Sequence, residues 1–170
     1  WTLSRGLGDV YKRQILCNEK GGLLNDPVLL RLTDDEFWFS ISDSDLLFWL
    51  QGVNVTKKFD VIIDEIDVCP VQIQGPLSED LMAKLAGEEL RDVPYYGILE
   101  TKIGGADCVI SQTGFTGEKG YEIYVRDAHE NAEKMWNAVL EAGEEFGLMV
   151  IAPAHHLSLI HISEPTRQSP

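Results

Sequence analysis

The sequence predicts an α+β fold of antiparallel sheets flanked by helices, and three observations predict it. Short alternating apolar segments such as Tyr121–Val125 have the period of two expected of half-buried strands. Between them lie segments with a helical period, of which 127–146 is the longest, with Ala132, Met135, Trp136, Val139 and Leu140 on one face. The two kinds follow one another in mixed short order with hairpin-like links, rather than in the strict alternation of a parallel sheet.

Taken in order, Ile15–Cys17 reads as a strand end and Gly21-Gly22 as a turn, where glycine supplies positive φ. Leu23–Leu32 is extended, and Asp34-Asp35 turn it into Phe37–Ile41 as a hairpin. Asp43 or Ser44 is placed to cap a helix whose Leu46, Leu47, Trp49, Leu50 and Val53 form a core stripe. Phe59–Asp64 and Val71–Gln74 alternate like strands. Pro76 suits the first turn of a second helix carrying Leu81, Met82 and Leu85 and closing near Gly87. Tyr95–Ile103 and Cys108–Gln112 are further strands, and the polar joint at Asp67–Pro70 is a candidate boundary between two half-modules.

Composition narrows the function. Fourteen Lys+Arg against twenty-eight Asp+Glu give a net charge of −14, which repels phosphate backbones and anionic lipid, so neither nucleic acid nor a membrane surface is an expected partner. No run of eighteen apolar residues is present to span a bilayer. Cys17, Cys69 and Cys108 are odd in number and widely spaced, which argues against a disulfide scaffold or a thiolate metal site and favours a reducing, cytoplasmic setting.

The two ends carry a different signal. Pairing residues whose numbers sum to 171, the first fourteen and last fourteen can be written as reverse complements: Gln14 (CAG) with Leu157 (CTG), and so on to Trp1 (TGG) with Pro170 (CCA). Such complementarity belongs to an inverted repeat in DNA, and its inner part resembles a transposase sequencing adapter. Residues 1–14 and 157–170 are therefore expected to be adapter-derived flanks that make few specific contacts. Residues 15–156 then hold ten Lys+Arg and twenty-six Asp+Glu, a net charge near −16. His155-His156 abuts the flank and builds no ligand set.

Two stretches stand out chemically. In Gly22-Leu-Leu-Asn25-Asp26-Pro27 a carboxylate sits inside an apolar strand, where leaving it unpaired would be costly. In Gly114-Phe115-Thr-Gly-Glu118-Lys-Gly120-Tyr-Glu122 three glycines allow backbone to approach a ligand, and Glu122 leaves the loop between aromatics. A carboxylate beside flat rings suits a nitrogen heterocycle with adjacent N–H donors, although a plain glycine turn with an exposed glutamate would read the same way.

The second stretch resembles the G-Y-T-G-E-x-G-F/Y-E signature of the glycine cleavage T-protein (aminomethyltransferase) family. Gly21-Gly-Leu-Leu-Asn-Asp26 is similar to that family's G-G-x-x-D-D, Ile73-Gln-Gly-Pro76 to its x-Q-G-P, and Trp136-Asn-Ala-Val-Leu to the helix that follows. The likeness runs through residues 15–156, and it implies a folate-binding fold that moves one carbon onto tetrahydrofolate. On that resemblance Asp26 sits against the reacting folate nitrogen as the catalytic residue. Glu122 binds the pterin edge, and Phe115 and Tyr96 supply aromatic walls. Residues 15–67 then read as a remnant of a first folate-binding subdomain and 68–156 as a second. Asn25 and Leu30 depart from the aminomethyltransferase pattern, and Asn25-Asp26-Pro27-Val, Phe37-Trp-Phe-Ser and Phe48-Trp49 resemble the dimethylsulfoniopropionate demethylase and aryl O-demethylase branch. The implied donor is a small sulfonium or methoxy compound. The alternatives are aminomethyltransferase itself, which would need a lipoyl carrier protein, and a non-catalytic folate-binding regulatory module, whose K-G-C-Y-x-G-Q-E motif is absent here.

Overall fold

Alternating burial along one strand organises the larger half of the chain. A computed structural model describes residues 10–13, 15–41, 45–114 and 116–151, the first of these as backbone only. Strands β1 (Val10–Arg13), β2 (Leu16–Cys17), β3 (Leu23–Asn25), β4 (Val28–Arg31) and β5 (Phe37–Ser40) precede helix α1 (Leu46–Lys57). Then follow β6 (Val68–Gln74), α2 (Ser78–Ala86), β7 (Ile98–Ile103), β8 (Ala106–Ser111), β9 (Gly120–Arg126) and α3 (Ala128–Gly143), with 3-10 turns at Glu88–Asp92 and Glu144–Phe146. β6–β9 form an antiparallel four-stranded sheet in the order β6-β9-β8-β7.

Because side chains alternate across a strand, Tyr121, Ile123 and Val125 of β9 face one way. They pack with Ile73, Cys108 and Ile110 from neighbouring strands against Leu81 and Met82 of α2 and Met135 and Val139 of α3. Ile110, Ile123, Val125 and Met82 have no exposed surface, and each fully buried side chain of this size contributes roughly 1.5–3 kcal/mol. β7 and β8 are joined by Gly104-Gly105, both at positive φ (59° and 84°), as a two-residue hairpin with Ile103 opposite Ala106 demands. Pro70 lies in β6, an edge strand, where a missing N–H is tolerated.

The opposite face of the sheet receives the N-terminal hairpin. β4 and β5 pair in register from Val28↔Ser40 to Arg31↔Phe37. Their Leu30, Leu32 and Trp38 close over Val109 and Tyr124, with Val28, Val68, Tyr96 and Ile98 around the edge. Trp38 donates to Glu36 (2.9 Å), and the Arg126 guanidinium lies 4.6 Å from its ring centre, fastening the hairpin to β9.

Several expectations are corrected. Val10–Arg13, expected to lie outside the fold, pairs with β4 around a register shift between Tyr11 and Arg13. Phe59–Asp64 is not a strand. Its backbone is held by amide side chains of α1 instead: Gln51 Nε2 donates to the Ile63 carbonyl (2.8 Å), and Asn54 bonds both ways with Phe59. The α1 stripe is not a core stripe either. Leu46 is buried, but Trp49 is 37% exposed and Phe48, beside it, 69%. Pro76 precedes α2, whose N-cap is Leu77. Asp43 and Ser44 lie outside the described residues, and α1 begins after Asp45 with no side-chain cap. Among the described residues no helix is long and apolar enough to cross a membrane.

Candidate functional site

The hairpin-facing side of the sheet is apolar at one end and polar at the other. At its polar end β9 presents Glu122, directly opposite Gln72 of β6 on one side and Ser111 of β8 on the other. Glu122 is half-buried, whereas Ser111 is completely buried and Thr113 nearly so. One carboxylate oxygen, Oε2, accepts from the Thr113 hydroxyl and from the Tyr124 hydroxyl (2.9 Å). Thr113 is also bonded to the Ser111 hydroxyl. Burial, then the neighbouring Glu122 charge, push the Tyr124 phenol above its ordinary pKa, so it stays protonated and donates. Oε1 of Glu122 accepts no hydrogen bond among the described residues.

Beyond Thr113 the chain turns through the glycine-rich loop, which lines a cleft of about 310 Å³ with Gly114, Gly117, Lys119 and Gly120 on one wall and Tyr95 on the other. The glycines serve different ends. A Cβ on Gly120 would lie 2.1 Å from Gln74 Nε2, and one on Gly114 would lie 2.7 Å from the same atom, so both let the Gln74 side chain pack flat on the loop. Gly117, at φ 82°, has open space where its Cβ would be. Gln74 also accepts from Thr116, while the buried Nε2 atoms of Gln72 and Gln74 have no partner among the described residues. Lys119, on the cleft wall, pairs with Glu79 of α2 (2.6 Å), which raises the lysine pKa.

The opposite wall comes from the turn Pro94–Gly97, closed by a Gly97 N–H bond to the Pro94 carbonyl (2.6 Å). Its third position needs positive φ, where glycine is usual. Tyr96 stands there at φ 67°, a conformation a bulky side chain adopts only under constraint. The constraint is visible: its N–H bonds to the Gln112 carbonyl (3.1 Å), and its side chain packs against the Leu30–Tyr124 cluster. The Tyr95 and Tyr96 rings meet edge-on with centres 4.4 Å apart, which leaves Tyr95, 66% exposed, standing over the cleft.

Of the four residues singled out from the sequence, Glu122 adjoins the cleft through Thr113, and Tyr96 follows Tyr95 of its wall. Phe115 lies outside the described residues. Asp26 is exposed, between β3 and the buried Pro27. Val28, two residues on, pairs with Ser40, which neighbours the Tyr124 that donates to Glu122. Thr113, Tyr124 and Tyr95 were not among the sequence candidates. Tyr124 had a usable signal, since it falls on the Glu122 face of β9 by the period of two; Thr113 reaches that face only through the β8–β9 register. Gln72 had none, because its register against β9 joins segments fifty residues apart.

With this geometry, the comparison with known proteins is decisive. Residues 10–156 match the family described as the GCVT N-terminal domain. The chain belongs to that family. The GCVT match begins five residues before Ile15, inside the flank expected to be adapter-derived, and covers every described strand and helix. Among similar proteins is the dimethylsulfoniopropionate demethylase DmdA of Ruegeria pomeroyi, 37% identical over 136 residues, which are 80% of this chain and 37% of that protein. The aminomethyltransferase of Clostridium botulinum strain Okra is 33% identical over 142 residues, with the same coverage. That of Thermoanaerobacter sp. strain X514 is 29% identical over 150 residues, 86% of this chain and 40% of the relative. The chain thus spans about two fifths of the length of these GCVT relatives.

Proposed function

We propose that the whole protein is a cytoplasmic, tetrahydrofolate-dependent one-carbon transferase that demethylates a small sulfonium or methoxy donor, and that residues 15–67 and 68–156 contribute two folate-binding subdomains. The observation that carries this reading is the Glu122 carboxylate, held half-buried by two hydroxyl donors on one oxygen with the other oxygen unengaged. An edge with adjacent N–H donors, such as the 2-amino-pyrimidinone of a pterin, complements such an acceptor. The cleft beside it has glycines on one wall and an exposed tyrosine ring on the other, and its volume is of the order of a ring system rather than of an ion. The residues present therefore fit a reduced folate.

Tetrahydrofolate, when bound, supplies the nucleophilic nitrogen N5 that receives the carbon unit. The chain's own work is to fix the ring. Glu122 sets its in-plane position, Tyr95 and Tyr96 close one side, and Asp26 is assigned to the reacting nitrogen. Holding two reactants in line supplies much of the rate in such a transfer. A sulfonium donor suits this site because its leaving group departs neutral, with no call for the general acid that a phenolate would require. Similarity to the dimethylsulfoniopropionate demethylase, at 37% identity, supports that donor class.

A second reading, aminomethyl transfer from a lipoyl carrier protein, is supported by the Clostridium and Thermoanaerobacter aminomethyltransferases at 29–33% identity. The two are separated by supplying the whole protein with tetrahydrofolate and, in turn, dimethylsulfoniopropionate, a methoxy-aromatic, or aminomethyl-lipoyl protein. Methyl-folate from either of the first two supports demethylation, and methylene-folate from the third supports the alternative. No folate-bound carbon from any of them rejects the transferase reading.

A further inference from the structure

The ligand-facing carboxylate is not free to turn, and the groups that hold it form a directed chain. A carboxylate only accepts, so the hydroxyls of Thr113 and Tyr124 must both donate to Glu122 Oε2. With its proton committed there, Thr113 Oγ1 is left to accept from Ser111, which is completely buried. Tyr124, with its own proton committed, can only accept from the neighbouring Ser40 and Ser111 hydroxyls. The directions are thus fixed from Ser111 through Thr113 to Glu122, and from Tyr124 to Glu122.

We propose that Thr113 and Tyr124 are positioning residues that saturate Glu122 Oε2 and thereby dedicate Oε1 to the N–H donors of the ligand. A carboxylate oxygen has two lone-pair sites, and two hydroxyl donors fill those of Oε2. Rotating the carboxylate to exchange the two oxygens would break both bonds in a region where Ser111, Thr113 and Tyr124 have almost no access to replacement water. The aim of Oε1 is therefore set before a ligand arrives, which is the condition under which a hydrogen bond contributes most to binding.

This inference rests on the reading of Glu122 as the pterin-binding carboxylate, and the experiment keeps the two apart. The whole protein and its Thr113→Val, Thr113→Ser, Tyr124→Phe and Glu122→Gln variants are titrated calorimetrically with 5-formyltetrahydrofolate and with an analogue lacking the 2-amino group. Thr113→Val and Tyr124→Phe are each expected to weaken the folate about tenfold, and Thr113→Ser to stay within about twofold of the parent. The analogue, which keeps only one of the donors that Oε1 accepts, should show a clearly smaller loss in both variants. Equal loss of both ligands in Thr113→Val and Tyr124→Phe would mean a merely structural role and would overturn the inference, as would parent-like folate binding by both. Thermal melts identify any variant that has not folded, and the Thr113→Val and Thr113→Ser pair differs so little in shape that folding loss in both would itself reject a positioning role. If Glu122→Gln or the parent shows that the carboxylate is irrelevant to folate, the underlying reading fails instead.

Discussion

At the residue scale the site is built on what glycine leaves out. Gly120 lies beneath the Gln74 amide, and a methyl group there would come within 2.1 Å of Nε2 and 2.7 Å of the Ile73 carbonyl. The backbone atom cannot step aside without breaking the β6–β9 ladder, in which Gln74 pairs with Gly120. Gly120→Ala is therefore expected to destabilise the fold by about 1–3 kcal/mol in urea denaturation. Gly117→Ala, which meets nothing but must keep φ at 82°, should cost about 1–2 kcal/mol from backbone strain alone. Its cost should also leave the packing of Gln74 untouched. A Gly120→Ala protein as stable as the parent would contradict the packing described here. Cysteines give a second check at this scale. Cys108 is 2% exposed, and burial raises its thiol pKa, so its reactive thiolate is suppressed at mildly alkaline pH. Cys17 is exposed, so iodoacetamide should label it in the native protein while Cys108 reacts only after denaturation. Labelling of Cys108 at the same rate as Cys17 would show that β8 opens readily.

At the scale of elements, the β4–β5 hairpin is the piece that the site depends on and the sheet does not. Leu30 has no exposed surface and sits between the hairpin and Val109 and Tyr124. Leu30→Ala should cost about 2–5 kcal/mol. The loss should be local, with amides of β4 and β5 exchanging hydrogen faster while those of β8 and β9, buried under α2 and α3, keep their protection. Uniform loss of protection would mean that the two sheets unfold as one unit. The same elements show what could be read from the sequence and why. Local signals sufficed for the Asp34-Asp35 hairpin, for β7–β9 and for α3, because each is specified by its own period and turn residues. They failed at 59–64, where the alternation is real but the backbone partners are side chains of α1. They failed again on the burial of α1, since amphipathic spacing cannot tell which apolar residues a neighbour will reach. In the site, the signature singles out Glu122 and the Tyr-Tyr pair before it Tyr96, whereas the cross-strand setting of Gln72 and Ser111 depends on non-local register.

At the scale of the whole molecule two opposing features share one surface. The chain carries a net charge of −14, whose self-repulsion keeps copies apart. Yet α1 and the segment after it expose Phe48 at 69%, Val55 at 74%, Phe59 at 64% and Ile62 at 91%. Phe48 and Val55 are seven residues apart and so share a face of the helix, and Asn54 binds Phe59 back against that helix. These side chains therefore make a neighbouring apolar surface of the sort that drives association when nothing opposes it. Salt should decide between the two. Charge repulsion acts over about 10 Å at 0.1 M ionic strength but only about 3 Å at 1 M, while burial of apolar surface is not screened. Sedimentation velocity of this chain should accordingly show monomer at low salt and growing self-association as salt rises, the reverse of what ion-paired association would give. Replacing Phe48 and Ile62 together by lysine should remove the apolar contact. That pair also lowers the net negative charge, so a monomer that persists at high salt in the variant is attributable to lost apolar area rather than to added repulsion. If the parent chain remains monomeric at about 1 M salt, where repulsion no longer reaches across the gap, the exposed strip of α1 has no adhesive role.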